Sequence, residues 1–319
     1  MPISRRALLV SSLCAAAPAR AASVVRVGTL RFGSVAWELD VMRTHGLDAS
    51  NGISVTPVEF AAAQATQVAL QAGRVDTVVQ DWIWVSRQRA SGADWTFSPT
   101  SAALGAVVVP AASSIRTVAD LAGRKLGIAG SPLDKSWLLL RAHGQQAFGL
   151  NLDAKVTKEF GPPPLLAEQM SAGRLDAVLT YWPFAAKAEA GGMRRLVAME
   201  DVVTALGLPP GVPFLGYVFS DAWAAQGTAE PFLRAAAQAR AVLAESDAEW
   251  ERIAPLTGAA GPAELQALRA WYRRGIPGAW DAATQGAAGR LYDVMASIGG
   301  TALVGPATRL APGTFWRAA

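Results

Sequence analysis

The stretch Gln71-Ala72-Gly73-Arg74-Val75-Asp76-Thr77-Val78-Val79-Gln80-Asp81-Trp82 returns 100 residues later as Ser171-Ala172-Gly173-Arg174-Leu175-Asp176-Ala177-Val178-Leu179-Thr180-Tyr181-Trp182. Ala, Gly, Arg, Asp, Val and Trp recur in the same order, and Val75/Leu175 and Val79/Leu179 are apolar exchanges. Apolar residues at helical spacing, Leu70 in one copy and Leu166 and Met170 in the other, run up to a Gly placed where a helix end needs the left-handed conformation. A short β-branched run follows and reads as a buried strand, ended by an aromatic loop. The same offset relates residues 25–33, a strand leading to Gly33-Ser34 and Trp37, to residues 125–130, a strand leading to Gly130-Ser131 and Trp137. Trp37, Trp82, Trp137 and Trp182 therefore pair across two halves of the chain.

Strands alternating with helices predict an α/β fold in which each half is a mostly parallel sheet flanked by helices, with ligands held beyond the carboxyl ends of the strands. Two such lobes with their loop edges facing would enclose a cleft. An old duplication whose tryptophans only fill two interiors would leave the same trace. The reading divides the chain into a leader at 1–21, a first lobe at 22–109, a second lobe at 110–206, and a return at 207–319 that rejoins the first lobe. A linker after 106–109 at Pro110-Ala111-Ala112-Ser113-Ser114, and Gly207-Leu208-Pro209-Pro210-Gly211-Val212-Pro213, mark two hinge crossings. The returning strand contains Tyr217, and helices follow: 231–244, one opened by Ser246-x-x-Glu249, one begun by Pro262, and one at 281–298. They are expected to pack on the first lobe as scaffold.

The leader places Arg5-Arg6 before the apolar run 7–17 and ends on Ala19-Arg20-Ala21, the pattern of a cleaved twin-arginine signal peptide, so a periplasmic location is expected. Of the 29 Lys and Arg, the three in this leader leave 26 against 25 Asp and Glu, a net charge of about +1, which is no footprint for nucleic acid. With 51% hydrophobic and 17% charged residues the chain can bury large cores. Cys14, inside the leader, is its one cysteine, so the mature chain has no thiol for a disulfide, a zinc–thiolate site or a nucleophile. His45 and His143 each precede a Gly by one residue, as ordinary helix-end residues do. No HExxH pair, nucleophile elbow, Walker loop or GxGxxG is present, and the reading assigns no catalytic residue, no metal and no cofactor.

The candidate ligand residues come from the loops at the strand ends. Arg31, Phe32, Ser34 and Trp37 follow the first strand, and Arg31 is free to pair with an anionic group or with Asp81. Ser131, as N-cap before Pro132, and Lys135 do the same in the second lobe, with Asp134 as the third-position partner of that cap. A helix N-terminus stabilises sulfonate, carboxylate or phosphate oxygens, so both ends read as anion-friendly. Gln80, Asp81 and Trp82, with Tyr181 and Trp182 opposite and Tyr217 on the returning strand, supply aromatic walls for an organic ligand with a flat or apolar part. Asp81 has two open roles: accepting from a ligand amine or ring amino group, and capping the helix that begins at Trp82.

The segments Val25-Arg26-Val27-Gly28, Leu70-x-x-Gly73-x-x-Asp76, Val118-x-Asp120-Leu121-x-Gly123-x-x-Leu126-Gly127 and Ala172-Gly173-x-x-Asp176-Ala177 resemble the periplasmic substrate-binding proteins of ABC importers. The branch resembled handles nitrate, alkanesulfonates, taurine and thiamine-precursor pyrimidines, and the likeness covers about residues 24–185. It implies a two-lobed, hinge-bending periplasmic binding protein fold of type II that closes on a small organic ligand, is not an enzyme, acts as a monomer and docks to permease and ATPase subunits. An exported enzyme on the same fold and an accessory subunit that binds another protein are the alternatives.

Overall fold

A computed structural model describes residues 22–31, 33–208, 211–307 and 309–316. The leader at 1–21 and Phe32 lie outside the described residues. The first lobe comprises β1 (Ser23–Leu30), α1 (Val35–Thr44), α2 (Leu47–Ser50), β2 (Ile53–Phe60), α3 (Ala63–Gln71), β3 (Thr77–Asp81), α4 (Trp82–Ala90) and β4 (Trp95–Ser101). The second comprises β5 (Gly105–Val109), a 3-10 turn (Val118–Leu121), β6 (Lys125–Ala129), α5 (Lys135–Phe148), α6 (Leu152–Lys155), β7 (Thr157–Gly161), α7 (Pro163–Ser171), β8 (Ala177–Tyr181), α8 (Trp182–Ala190), β9 (Arg194–Ala198) and α9 (Met199–Ala205). The chain then returns through β10 (Leu215–Ser220), α10 (Asp221–Ala224), α11 (Ala229–Glu245), α12 (Asp247–Thr257), α13 (Pro262–Arg274) and α14 (Ala282–Val304).

The two sheets are ordered β2-β1-β3-β10-β4 and β7-β6-β8-β5-β9, the same plan twice. In each, the fourth strand, β10 or β5, runs antiparallel to its neighbours and has crossed over from the other lobe. The crossings lie between β4 and β5 and between α9 and β10. Residues 105–109, expected to end the first lobe, thus belong to the second sheet. All five are buried, which demands an interior place between two strands, while the turn at Pro110 only leads away from it.

The repeat has a physical cause at each shared residue. Gly73 and Gly173 adopt φ of +65° and +67°. Arg74 N–H donates to Ala69 O and Gly73 N–H to Leu70 O, while Arg174 and Gly173 do the same toward Gln169 and Met170, closing both helices with the paired bonds of a Schellman motif. Asp76 then pins the turn to the neighbouring strand β1, accepting from Arg26 N–H at 2.7 Å, and Asp176 pins its copy to β6, accepting from Lys125 N–H at 2.8 Å. Arg26 and Lys125 are 99 residues apart, so the strand copies are offset by one residue less than the turns.

Two apolar cores lie on opposite faces of the sheets, and each runs through both lobes. The C-terminal helices explain part of that continuity. Helix α11 packs on α1 and α2, and α12 on α1, as expected for a first-lobe scaffold. Helix α13 instead packs against α8, and α14 against both α4 and α5, so these two span the lobes. On α13, Trp271 is buried, donates its indole N–H to Glu189 Oε2 at 3.1 Å and is flanked by the Arg195 and Arg274 guanidinium groups.

Candidate functional site

A cavity of about 320 Å³ lies between the lobes at the carboxyl ends of β1, β3 and β8. Its walls are the loops the repeat singled out: Leu30 and Ser34 after β1, Gln80 and Asp81 at the end of β3, Gly130 and Ser131 after β6, and Tyr181 and Trp182 at the end of β8. The volume suits a small organic molecule.

Asp81 and Lys135, one from each lobe, meet in this cavity at 2.7 Å, with side chains 7% and 28% exposed. Asp81 also takes its capping role: its Oδ1 accepts from Trp84 N–H at 2.8 Å. Burial disfavours the Lys135 ammonium, but attraction and hydrogen bonding to Asp81, with a further contribution from Asp134, outweigh it and raise the pKa of Lys135.

Helix α5 begins one turn later than the sequence reading placed it. Asp134, not Ser131, is its N-cap, with Oδ1 accepting from Ser136 and Trp137 N–H at 2.9 and 3.3 Å. Ser131 Oγ accepts from Leu133 N–H instead, within a turn opened by Gly130 at φ +94°. Burial raises Asp134 to about 6, against the opposing pull of Lys135 and its own helix amides and with a further upward push from Asp81. Tyr181 bonds to Asp134 and is likewise pushed up, by burial first and then by that carboxylate. Two helix N-termini facing the cavity are thus occupied by the chain's own carboxylates, which overturns the expectation of an anion-friendly end on α5.

A third carboxylate, missed in the sequence, lines the cavity from α1. Glu38 is 4% exposed and accepts from Tyr272 Oη at 2.9 Å, from Tyr217 Oη at 3.2 Å and from Arg240 at 3.4 Å, and Arg240 also donates to Thr100 Oγ1 at 2.7 Å. Burial raises Glu38, while Arg240 and the two hydroxyls pull the other way. Arg240 and Tyr272 stand on helices read as scaffold, more than 200 residues from Glu38, and no local pattern joins them. Gln80 is buried with its amide engaged by Gln67 and Thr66 at 3.0 and 3.3 Å.

The aromatic walls are corrected most. Trp82 is 0% exposed, donates its indole N–H to Pro213 O at 2.9 Å and packs on Phe214, Tyr292 and Phe315, so it is core. Trp137 is also fully buried. Trp37, 3% exposed, packs on Trp182, Trp250 and Tyr272 and donates to Leu256 O, away from the cavity. Trp182, 5% exposed, alone of the four edges the cavity. Tyr217 is fully buried and reaches the site through its bond to Glu38 rather than by lining the cavity. An indole buries more apolar area in a core than at a wet cleft wall, and the strand ends offered a core behind each loop. Arg31 is 74% exposed, 3.8 Å from Glu59, and does not line the cavity.

Comparison with known proteins agrees with this architecture. The family model described as NMT1/THI5 like matches residues 41–249. The fold is shared with the alkanesulfonate-binding protein SsuA from Xanthomonas axonopodis pv. citri bound to MOPS, at 22% identity and TM-score 0.71, covering 93% of this chain and 99% of that one. It is shared equally with the periplasmic aliphatic sulphonate-binding protein SsuA from Escherichia coli, at 19% identity and TM-score 0.71, covering 93% of each chain. A cysteine-to-serine mutant of DszB in complex with biphenyl-2-sulfinic acid matches at 17% identity and TM-score 0.56, covering 86% of this chain and 92% of that one. Among curated proteins, the sequence has no significant match.

Proposed function

The chain belongs to the NMT1/THI5-like family, and from that premise we propose that it is the solute-binding component of an ABC-type importer. It is exported to the periplasm by its twin-arginine leader, captures a small organic ligand by closing two lobes, and delivers it to a permease and its ATPase. The observation that carries this reading is the 320 Å³ cavity walled by both lobes at the strand ends. A ligand there touches both lobes at once, so its contacts favour the closed form over the open one, which is the condition for ligand-driven closure.

A non-enzymatic role is supported by the cavity's residues. Its serines, Ser34, Ser101, Ser131 and Ser136, share the cavity with neither histidine, and His45 pairs with Glu249 at 3.2 Å. Of the three carboxylates among the walls, Asp81 turns its Oδ2 to the cavity, which favours ligands that donate hydrogen bonds, such as amines, zwitterions of the taurine kind and aminopyrimidines, over a simple anion.

Native mass spectrometry of protein purified from periplasm tests the reading, followed by thermal unfolding with the molecule found. The expected result is one co-purifying small molecule that raises the melting temperature with no product formed. A cavity that carries nothing and a chain that no sulfonate, aminosulfonate or aminopyrimidine stabilises would overturn it, as would turnover of the bound molecule.

A further inference from the structure

The charges of the cavity sort into those answered within their own surroundings and one pair that is not. Glu38 is answered by Arg240 and two tyrosine hydroxyls, and Asp134 by the first amides of its own helix. Asp81 and Lys135 remain, and they answer each other only because the lobes are closed. When the lobes part, a carboxylate is left on one wall and an ammonium on the other.

Resting on the solute-binding reading, we propose that the ligand is a zwitterion whose cationic nitrogen takes the place of Lys135 at Asp81 and whose anionic end takes the place of Asp81 at Lys135. A lone anion bound to Lys135 would leave the Asp81 carboxylate buried, unpaired and facing like charge. A lone cation at Asp81 would take from Lys135 its hydrogen-bonded partner and leave it only the attraction of Asp134, which already serves its own helix amides. Leaving one partner of a buried pair without its counter-charge is far costlier than exchanging one complete pairing for another. A zwitterion keeps both charges matched and spans the two lobes, so its binding energy acts on closure. The two side chains are suited to the exchange. Asp81 is fixed by its Oδ1 bond to Trp84 N–H, with Oδ2 toward the cavity, whereas Lys135 has a flexible stem and partial exposure that let it withdraw. Direct pairing of Asp81 with Lys135 then competes with the ligand, closing the empty cleft on itself.

The test is isothermal titration of the mature chain with α,ω-aminoalkanesulfonates and aminocarboxylates of increasing chain length, each beside its parent alkanesulfonate, carboxylate and alkylamine. The unaltered chain should bind a zwitterion on the order of tenfold or more tighter than either singly charged parent. Asp81→Asn should shift preference to the anion, and Lys135→Met to the amine. These opposite gains distinguish ligand recognition from simple loss of structure, and Asn still caps α4. Equal or tighter binding of a singly charged or uncharged probe by the unaltered chain would overturn the proposal, as would zwitterion binding unchanged in both variants. If no probe binds but a molecule without paired charges co-purifies from periplasm, the zwitterion assignment fails and solute capture stands. If nothing binds and nothing co-purifies, the solute-binding reading fails, and the assignment with it.

Discussion

The indoles of Trp37 in the first lobe and Trp182 in the second meet edge to face, their centroids 5.9 Å apart and their planes at 87°. The contact is continued by Trp250 and Tyr272, so an aromatic cluster fastens the lobes beside the cavity and reaches its wall only through Trp182 and Tyr272. Opening the cleft has to slide or part this cluster.

Truncating a buried indole, whether Trp182 of this cluster or Trp82 in the other core, should act on stability first. Trp82→Ala and Trp182→Ala are each expected to lower the unfolding free energy by about 3–5 kcal/mol, the usual cost of emptying a buried aromatic site, read from urea unfolding. Trp82→Phe keeps most of the volume and loses the bond to Pro213 O, for a cost of about 1–2 kcal/mol.

The turn repeats make a second stability prediction. Asp76→Ala removes the acceptor for Arg26 N–H and the ion pair with Arg26 at 2.6 Å, and Asp176→Ala removes the acceptor for Lys125 N–H. Each should cost about 1–3 kcal/mol in the same measurement. Two variants that leave unfolding unchanged would show that the turns are held by the glycine geometry alone.

Protonation of Asp134 should appear in the pH dependence of stability. Its pKa is raised by burial to about 6 from an ordinary 3.8, so folding favours the protonated acid. The stability it contributes is fully present below about pH 4 and is lost as the pH rises through about 6. Asp134→Asn keeps a capping side chain and should flatten the fall between those limits, seen as a smaller loss of melting temperature than in the parent chain.

Arg31→Ala should change neither ligand affinity nor stability by more than about 0.5 kcal/mol, because its exposed guanidinium has only a distant surface carboxylate for company. A tenfold loss of affinity measured by titration would return Arg31 to the site.

Much of the architecture was legible because the turn chemistry is local. A left-handed Gly, an Asp three residues later and a β-branched run specify helix end, strand tie and buried strand wherever they occur, and here they occur twice. The place of residues 105–109 was not legible, since an apolar strand at a lobe boundary suits either sheet and only β8 and β9 decide it. The positions of Asp81, Lys135 and Tyr181 at the cleft followed from the strand ends. Whether Trp82 faced cleft or core did not, because Phe214, Tyr292 and Phe315 reach it from the far end of the chain. Glu38 was passed over for the same reason: its partners are assembled by tertiary packing alone.

The strand that completes the first sheet, β10, arrives only after the whole second lobe has been traversed, whereas β5 to β9 form one uninterrupted run from 105 to 198. On the ribosome the half that begins second is therefore the half that can finish first, with β3 and β4 waiting unjoined until residue 220 has emerged. Protease resistance of nascent chains stalled at successive lengths would read that order: protection of 105–198 should precede protection of 23–101, and the reverse sequence would show that the first sheet assembles without its inserted strand.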